Sequence, residues 1–169
     1  MSRPTAGEFQ PYYQRYIDKA KGENVSEVIK NHSEEIIHFL SSVPAAKADH
    51  AYAEGKWTLK QLLQHLIDAE RVFVYRAMRF ARKDSLPLQG FDEDAYAVNA
   101  FAEQRKWNEL LNELKALRTS TDIFVRSLNM EQLSASGTAN NTAMSVNALA
   151  FVIYGHLLHH IEVIKERYL

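Results

Sequence analysis

Two histidines, His156 and His160, stand four residues apart near the end of this chain, in a segment that reads as strongly helical. The positions Val146, Leu149, Ile153, His156, His160, Val163 and Arg167 step by three and four, the rhythm of one helix face. Both imidazoles therefore occupy places where that rhythm wants Leu or Ile. Side chains at i and i+4 lie roughly 5–6 Å apart at Cβ. That spacing lets two imidazoles converge on one metal ion at bonds of about 2.0–2.1 Å. Burying the pair without partners would be costly, so it reads as half of a three-histidine metal site. His159 is about 100° round the helix from His160 and reads as a flanking group.

The third ligand must come from elsewhere in the chain, and His65 and His32 are the candidates on long helices. His65 sits beside the apolar seam of the second long helix; His32 lies on the stripe of the first, where it also suits a plain core role. Asp68 is one turn beyond His65 on the same side. It could orient a ligating imidazole or accept a substrate proton; a surface ion pair with Arg71 or Arg76 is the competing reading. Asp92-Glu93-Asp94 could approach the open face of the site; the competing reading is a solvated acidic helix start, favourable near a positive helix end. Tyr154, Trp57 and Trp107 read as packing residues.

The elements that must position these groups are helical. A short helix is expected over residues 9–20, broken by Gly22. The first long helix spans about 26–42, with Val25, Ile29, His32, Ile36, Phe39 and Val43 as its stripe, and Pro44 ends it. The second starts at a capping box, Thr58 to Gln61, flanked by Trp57 and Leu62, and runs to about residue 82. Residues 83–99, with Pro87 and Gly90, read as a connection, long for adjacent antiparallel helices, that either crosses the bundle or carries function. The third long helix spans about 102–128. Residues 134–145 read as a small, polar loop, with Ser145 as N-cap of the last helix. No useful strand alternation is visible. The expected fold is all-α, a single domain over residues 1–169: a four-helix bundle with a short N-terminal helix and a long loop between helices 2 and 3. The last helix has a second apolar side, Ala150, Tyr154, Leu157, Leu158 and Ile161, which fits either a central position or a partner subunit.

The bulk numbers set limits. With 20 basic and 21 acidic residues the net charge is -1, which speaks against a nucleic-acid binder that works by neutralising phosphates. There is no Cys, hence no disulfide, thiolate ligand or Cys nucleophile. No run is long enough to span a bilayer and no apolar signal core precedes the fold, so a cytoplasmic protein is expected.

Three stretches carry a family resemblance. Residues 56–71, Lys-Trp-Thr-Leu-Lys-Gln-Leu-Leu-Gln-His-Leu-Ile-Asp-Ala-Glu-Arg, resemble the second-helix motif of the DinB-like (DinB/YfiT-like) superfamily. Residues 88–94, Leu-Gln-Gly-Phe-Asp-Glu-Asp, resemble its loop motif, and Gly155-His156 through His159-His160, then Glu166-Arg167-Tyr168-Leu169, its C-terminal motif. The resemblance implies a four-helix bundle with a divalent metal held by His65, His156 and His160, and frequent homodimers. Some relatives transfer a low-molecular-weight thiol onto an electrophile or isomerise a substrate with one; many others are labelled only as metal-dependent hydrolases. Gln89 stands where the family loop has Pro, and Leu157 where close relatives often carry Glu.

Three neutral ligands leave the ion its full charge and an open position, the catalytic pattern. Such an ion acidifies water or a thiol, and both products are nucleophiles. All-imidazole ligation suits zinc, nickel, iron or copper and does not choose among them; zinc or nickel is the expected ion. Without Cys in the chain, the thiol would be a diffusible cosubstrate. The leading expectation is a metal-dependent thiol S-transferase acting on small electrophiles. A metal-dependent hydrolase and a non-catalytic metal-binding bundle are the alternatives.

Overall fold

The four long helices follow from the apolar periodicity and their caps. The computed structural model describes residues 1–169. Helix α1 (Gln14–Ile17) is a single turn, followed by α2 (Val25–Ser42) and α3 (Leu59–Ala81). Then come α4 (Glu93–Asn99), α5 (Trp107–Arg126), α6 (Met130–Ser134) and α7 (Val146–Val163). Two short strands, β1 (Ser136–Ala139) and β2 (Thr142–Ser145), lie between α6 and α7. Thr58 Oγ1 accepts from Gln61 N at 3.2 Å while Gln61 Oε1 accepts from Thr58 N at 2.9 Å, so the capping box fixes the start of α3. Ser145 Oγ accepts from Ala148 N at 2.9 Å and starts α7 in the same way.

The connection order is a property of the packing. Helix α2 packs on α5 and α7, and α3 also packs on α5 and α7, so α2 and α3 occupy opposite corners of the bundle. The 83–99 connection therefore joins neighbours, α3 and α5, and does not cross. It runs instead along one end of the bundle, where Leu88 N donates to Thr138 O and Asn140 N to Leu88 O, both at 2.9 Å. The diagonal crossings fall to residues 43–58 and 127–145.

Three local expectations are corrected. The 134–145 segment is an antiparallel hairpin, not a loop, with Ser136 opposite Ser145 and Ala139 opposite Thr142. Its turn places Asn140 and Asn141 at φ 48° and 57°, the left-handed pair that a two-residue hairpin turn requires and that Asn tolerates. The N-terminal helix is only α1 plus a 3-10 turn, Pro11–Tyr13. Arg3 binds the last carbonyl of α1, Ile17 O, and the segment beyond it, donating to Ala20 O (2.7 Å) and Gly22 O (2.8 Å). The third long helix starts at Trp107, not 102, because Phe101 takes φ 50° and a separate 3-10 turn intervenes.

Helix α7 is the centre of the molecule. It packs against α1, α2, α3 and α6, and residues 146–158 are buried throughout. Both of its apolar sides are covered within one chain, so the expectation of a partner subunit rests on the family resemblance alone. Gly155 lets α1 lie against α7: a Cβ there would stand 1.9 Å from Tyr16 O.

No helix is long and apolar enough to cross a membrane.

Candidate metal centre

Helices α3 and α7 face each other, and the periodicity of each aims a histidine at the other. His65 Nε2 lies 3.2 Å from His156 Nε2, and His160 Nε2 lies 3.1 Å from the same atom. One ligand atom from each of the three lies within 4.8 Å of the others. A ring nitrogen carries either one hydrogen or one in-plane lone pair, so His156 Nε2 makes a good hydrogen bond with one of these partners but not both. A cation at the convergence point would satisfy all three. Two nitrogens bound tetrahedrally to one ion at zinc-like bond lengths are about 3.3 Å apart, close to the spacings seen. The donor set therefore fits a divalent metal.

The electrostatics keep the imidazoles in the ligand form. Burial pushes His65 down to about 4 and His160 to about 3. Burial, reinforced by His160 and His65, holds His156 well below the ordinary histidine range. All three are neutral at pH 7, with lone pairs free for a cation. His160 Nδ1 is buried without a protein partner.

Aromatic rings enclose the cluster. Trp57, at the end of the 43–58 connection, lies 4.9 Å from the His65 ring, and Tyr168 Oη holds Trp57 by donating to its carbonyl at 2.7 Å. Tyr16 from α1 and Phe73 from α3 each stand 5.5 Å from the His156 ring, edge to face. Beyond them opens a cavity of about 290 Å³ whose lining includes Tyr13, Tyr16, Phe73, Arg76, Phe91 and His156.

The other candidate residues are placed elsewhere. His32 uses both nitrogens outside the cluster: Nε2 accepts from Lys21 N at 2.8 Å, and Nδ1 lies 3.1 Å from Glu35 Oε2. His159 sits beside His160 and Tyr16, half-exposed, and is not one of the converging donors. Asp68 accepts from Gln64 Nε2 at 3.0 Å and lies 3.6 Å from Arg71; its contacts do not include the cluster. Burial raises the Asp68 carboxyl above its ordinary value. Of the acidic turn, Glu93 reaches the cavity, whereas Asp92 caps α4 by accepting from Asp94 N and Ala95 N. Leu157 is 1% exposed and packs in the core.

The family model of the DinB superfamily matches residues 29–164, a span that includes all three clustered histidines. The chain belongs to the DinB superfamily. Within the match lie α3, the 83–99 connection and α7; Tyr16 and Tyr168, which brace the site from outside, fall beyond its ends. Among solved structures, this DinB-superfamily chain is similar to YfiT from Bacillus subtilis, described as a probable metal-dependent hydrolase with an unusual four-helix bundle topology. The TM-score is 0.71 over 96% of this chain and 89% of that one, at 18% identity, a likeness of fold. No curated protein matches the sequence.

From the sequence alone Trp57 reads as core, and Tyr16, Phe73 and Arg76 carry no site role. Arg76 did leave a signal. It falls between Phe73 and Phe80 at spacings of three and four, so a cation occupies a seam position.

Proposed function

We propose that this chain is a metal-dependent enzyme that holds one divalent ion, zinc or nickel, on His65, His156 and His160. It uses that centre to join a low-molecular-weight thiol to a small electrophile. The observation that carries the metal reading is the convergence of three neutral imidazoles, His65 and His156 buried and His160 partly so. The likeness to YfiT supports metal dependence. Bound there, such an ion supplies an open position at which water or a thiol is acidified.

The chain's own residues bind, orient and exclude water. Trp57 and Phe73 hold the His65 and His156 rings in place, and Tyr16 closes the side next to α1. The one carboxylate in the cavity beside His156 is Glu93, which is exposed at the rim. A thiol suits such a site, because it gives up one proton to solvent and then attacks without a protein base. An S–C bond forms, and the bond from that carbon to its leaving group breaks. Hydrolysis is the second reading, favoured by the description of YfiT.

The test has two stages. Plasma mass spectrometry on untagged protein is expected to find about one transition ion per chain, and none in the His156→Ala/His160→Ala variant. The loaded protein is then mixed with a thiol and monochlorobimane. Metal-dependent thiol consumption is expected; turnover with water alone would make the protein a hydrolase. No metal in the parent after incubation with zinc and nickel would overturn the enzyme reading.

A further inference from the structure

Arg76 is 6% exposed, yet no carboxylate pairs with it. Its one side-chain hydrogen bond runs from Nη2 to Gln89 O at 3.1 Å, and its guanidinium lies 6.0 Å from the Phe91 ring centre. The other largely buried guanidinium, Arg118, is paired with both Glu70 and Asp122. A guanidinium offers five donors, of which the chain uses one, and the unpartnered Arg76 nitrogens keep solvent contact instead of being sealed in the core. Arg76 lines the same 290 Å³ cavity as His156. It stands one turn beyond Phe73 on α3, about 4.5 Å further along the axis, and Phe73 in turn touches His156.

We propose that Arg76 anchors a carboxylate of the substrate, which is then a small monocarboxylic acid. Its aryl or alkyl body lies along the aromatic wall, with its reacting end toward His156. This rests on reading the histidine cluster as the reactive centre. The planar fork of Arg matches a carboxylate with two parallel hydrogen bonds. A phosphate is the poorer fit: Arg76 is the one Lys or Arg in the lining, and exposed Glu93 at the rim repels a second negative charge. The cavity volume is at the small end for ligand sites, and Tyr13, Tyr16, Phe73 and Phe91 give it an apolar wall.

The experiment is calorimetric titration of the full, metal-free chain with 3-phenylpropionate and with its neutral amide. The acid is expected to bind at least tenfold more tightly than the amide. Arg76→Met is expected to weaken the acid roughly ten- to a hundredfold and to leave the amide unchanged, with Arg76→Lys between. The acid-to-amide ratio in the parent chain stands even if a variant fails to fold. Equal binding of acid and amide, or no binding of the acid, overturns the proposal. So does an acid that binds only to zinc-loaded protein and is indifferent to Arg76→Met, since its carboxylate then sits on the ion. An Arg76-dependent preference in a protein that takes up no metal would sustain the anchor and overturn the metal reading instead.

Discussion

Gly155→Ala is the most informative single change to the framework. Helix propensity alone makes Ala better than Gly by about 1 kcal/mol, so the naive expectation is a more stable protein. The structure reverses the sign. The new Cβ would lie 1.9 Å from Tyr16 O, 2.4 Å from Tyr16 C and 2.9 Å from Tyr16 Cα. Ordinary contact begins at 3.4 Å, so the gap is short by about 1.5 Å. The obstacle is backbone, which no rotamer change relieves. Helix α1 must back away, and Tyr16, Ile17 and Ala20, all buried, lose packing with it. Overpacking of this kind costs about 1–3 kcal/mol, and a backbone collision belongs at the top of that range. Net of propensity, a loss of about 2 kcal/mol is expected, or roughly 4–8 °C in Tm for a chain of this size. Urea unfolding of the metal-free protein measures it, with Gly7→Ala as the control, since nothing lies within 4 Å of a Cβ there. Because Tyr16 also stands against His156, zinc should stabilise Gly155→Ala less than the parent. A variant as stable as the parent, or more so, would refute the close approach of α1 and α7 and the wall it forms.

Two further outcomes follow from the buried charges. The folded-state values of His65 and His160, about 4 and about 3, lie below the unfolded value, and His156 is shifted the same way. Between those limits the unfolded chain binds more protons, so stability rises with pH. The contribution is complete above the unfolded value of about 6.5 and is lost as pH falls to about 4 for His65 and about 3 for His160. The slope approaches about 4 kcal/mol per pH unit if all three act together. Denaturant unfolding of metal-free protein from pH 7 to 4.5 reads this, and a flat profile would show that the cluster is wet. Arg118→Met strips the buried partner from Glu70, whose Oε1 accepts from Arg118 Nη1 at 2.9 Å and from Thr121 Oγ1 at 2.5 Å. A loss of about 3–5 kcal/mol is expected, mostly restored by adding Glu70→Leu; a loss under about 1 kcal/mol in the single variant, typical of exposed pairs, would mean that the pair is solvated.

The sequence by itself determined the helices and the histidine pair. A period of three and four residues and a local cap are properties of neighbours in the chain, and Thr58 with Gln61, or His156 with His160, need nothing distant to take their positions. Other features were decided only by tertiary structure. His65 meets His156 across 91 positions because α3 and α7 pack side by side, which periodicity cannot announce. The chain order of the helices does not disclose that α2 and α3 are diagonal. The hairpin at 136–145 was hidden because its strands are four residues each, rich in small residues, and held partly by pairing with Leu88. Its one sequence mark was Asn140-Asn141, a turn pair with an affinity for left-handed backbone. Asp68 shows the limit from the other side. Its spacing from His65 allowed a role at the site, but Gln64 and Arg71 were nearer partners in space. Charge pairing is settled by which side chains the fold brings within a few ångströms. For the same reason Arg118 has its carboxylates and Arg76 is left facing a cavity.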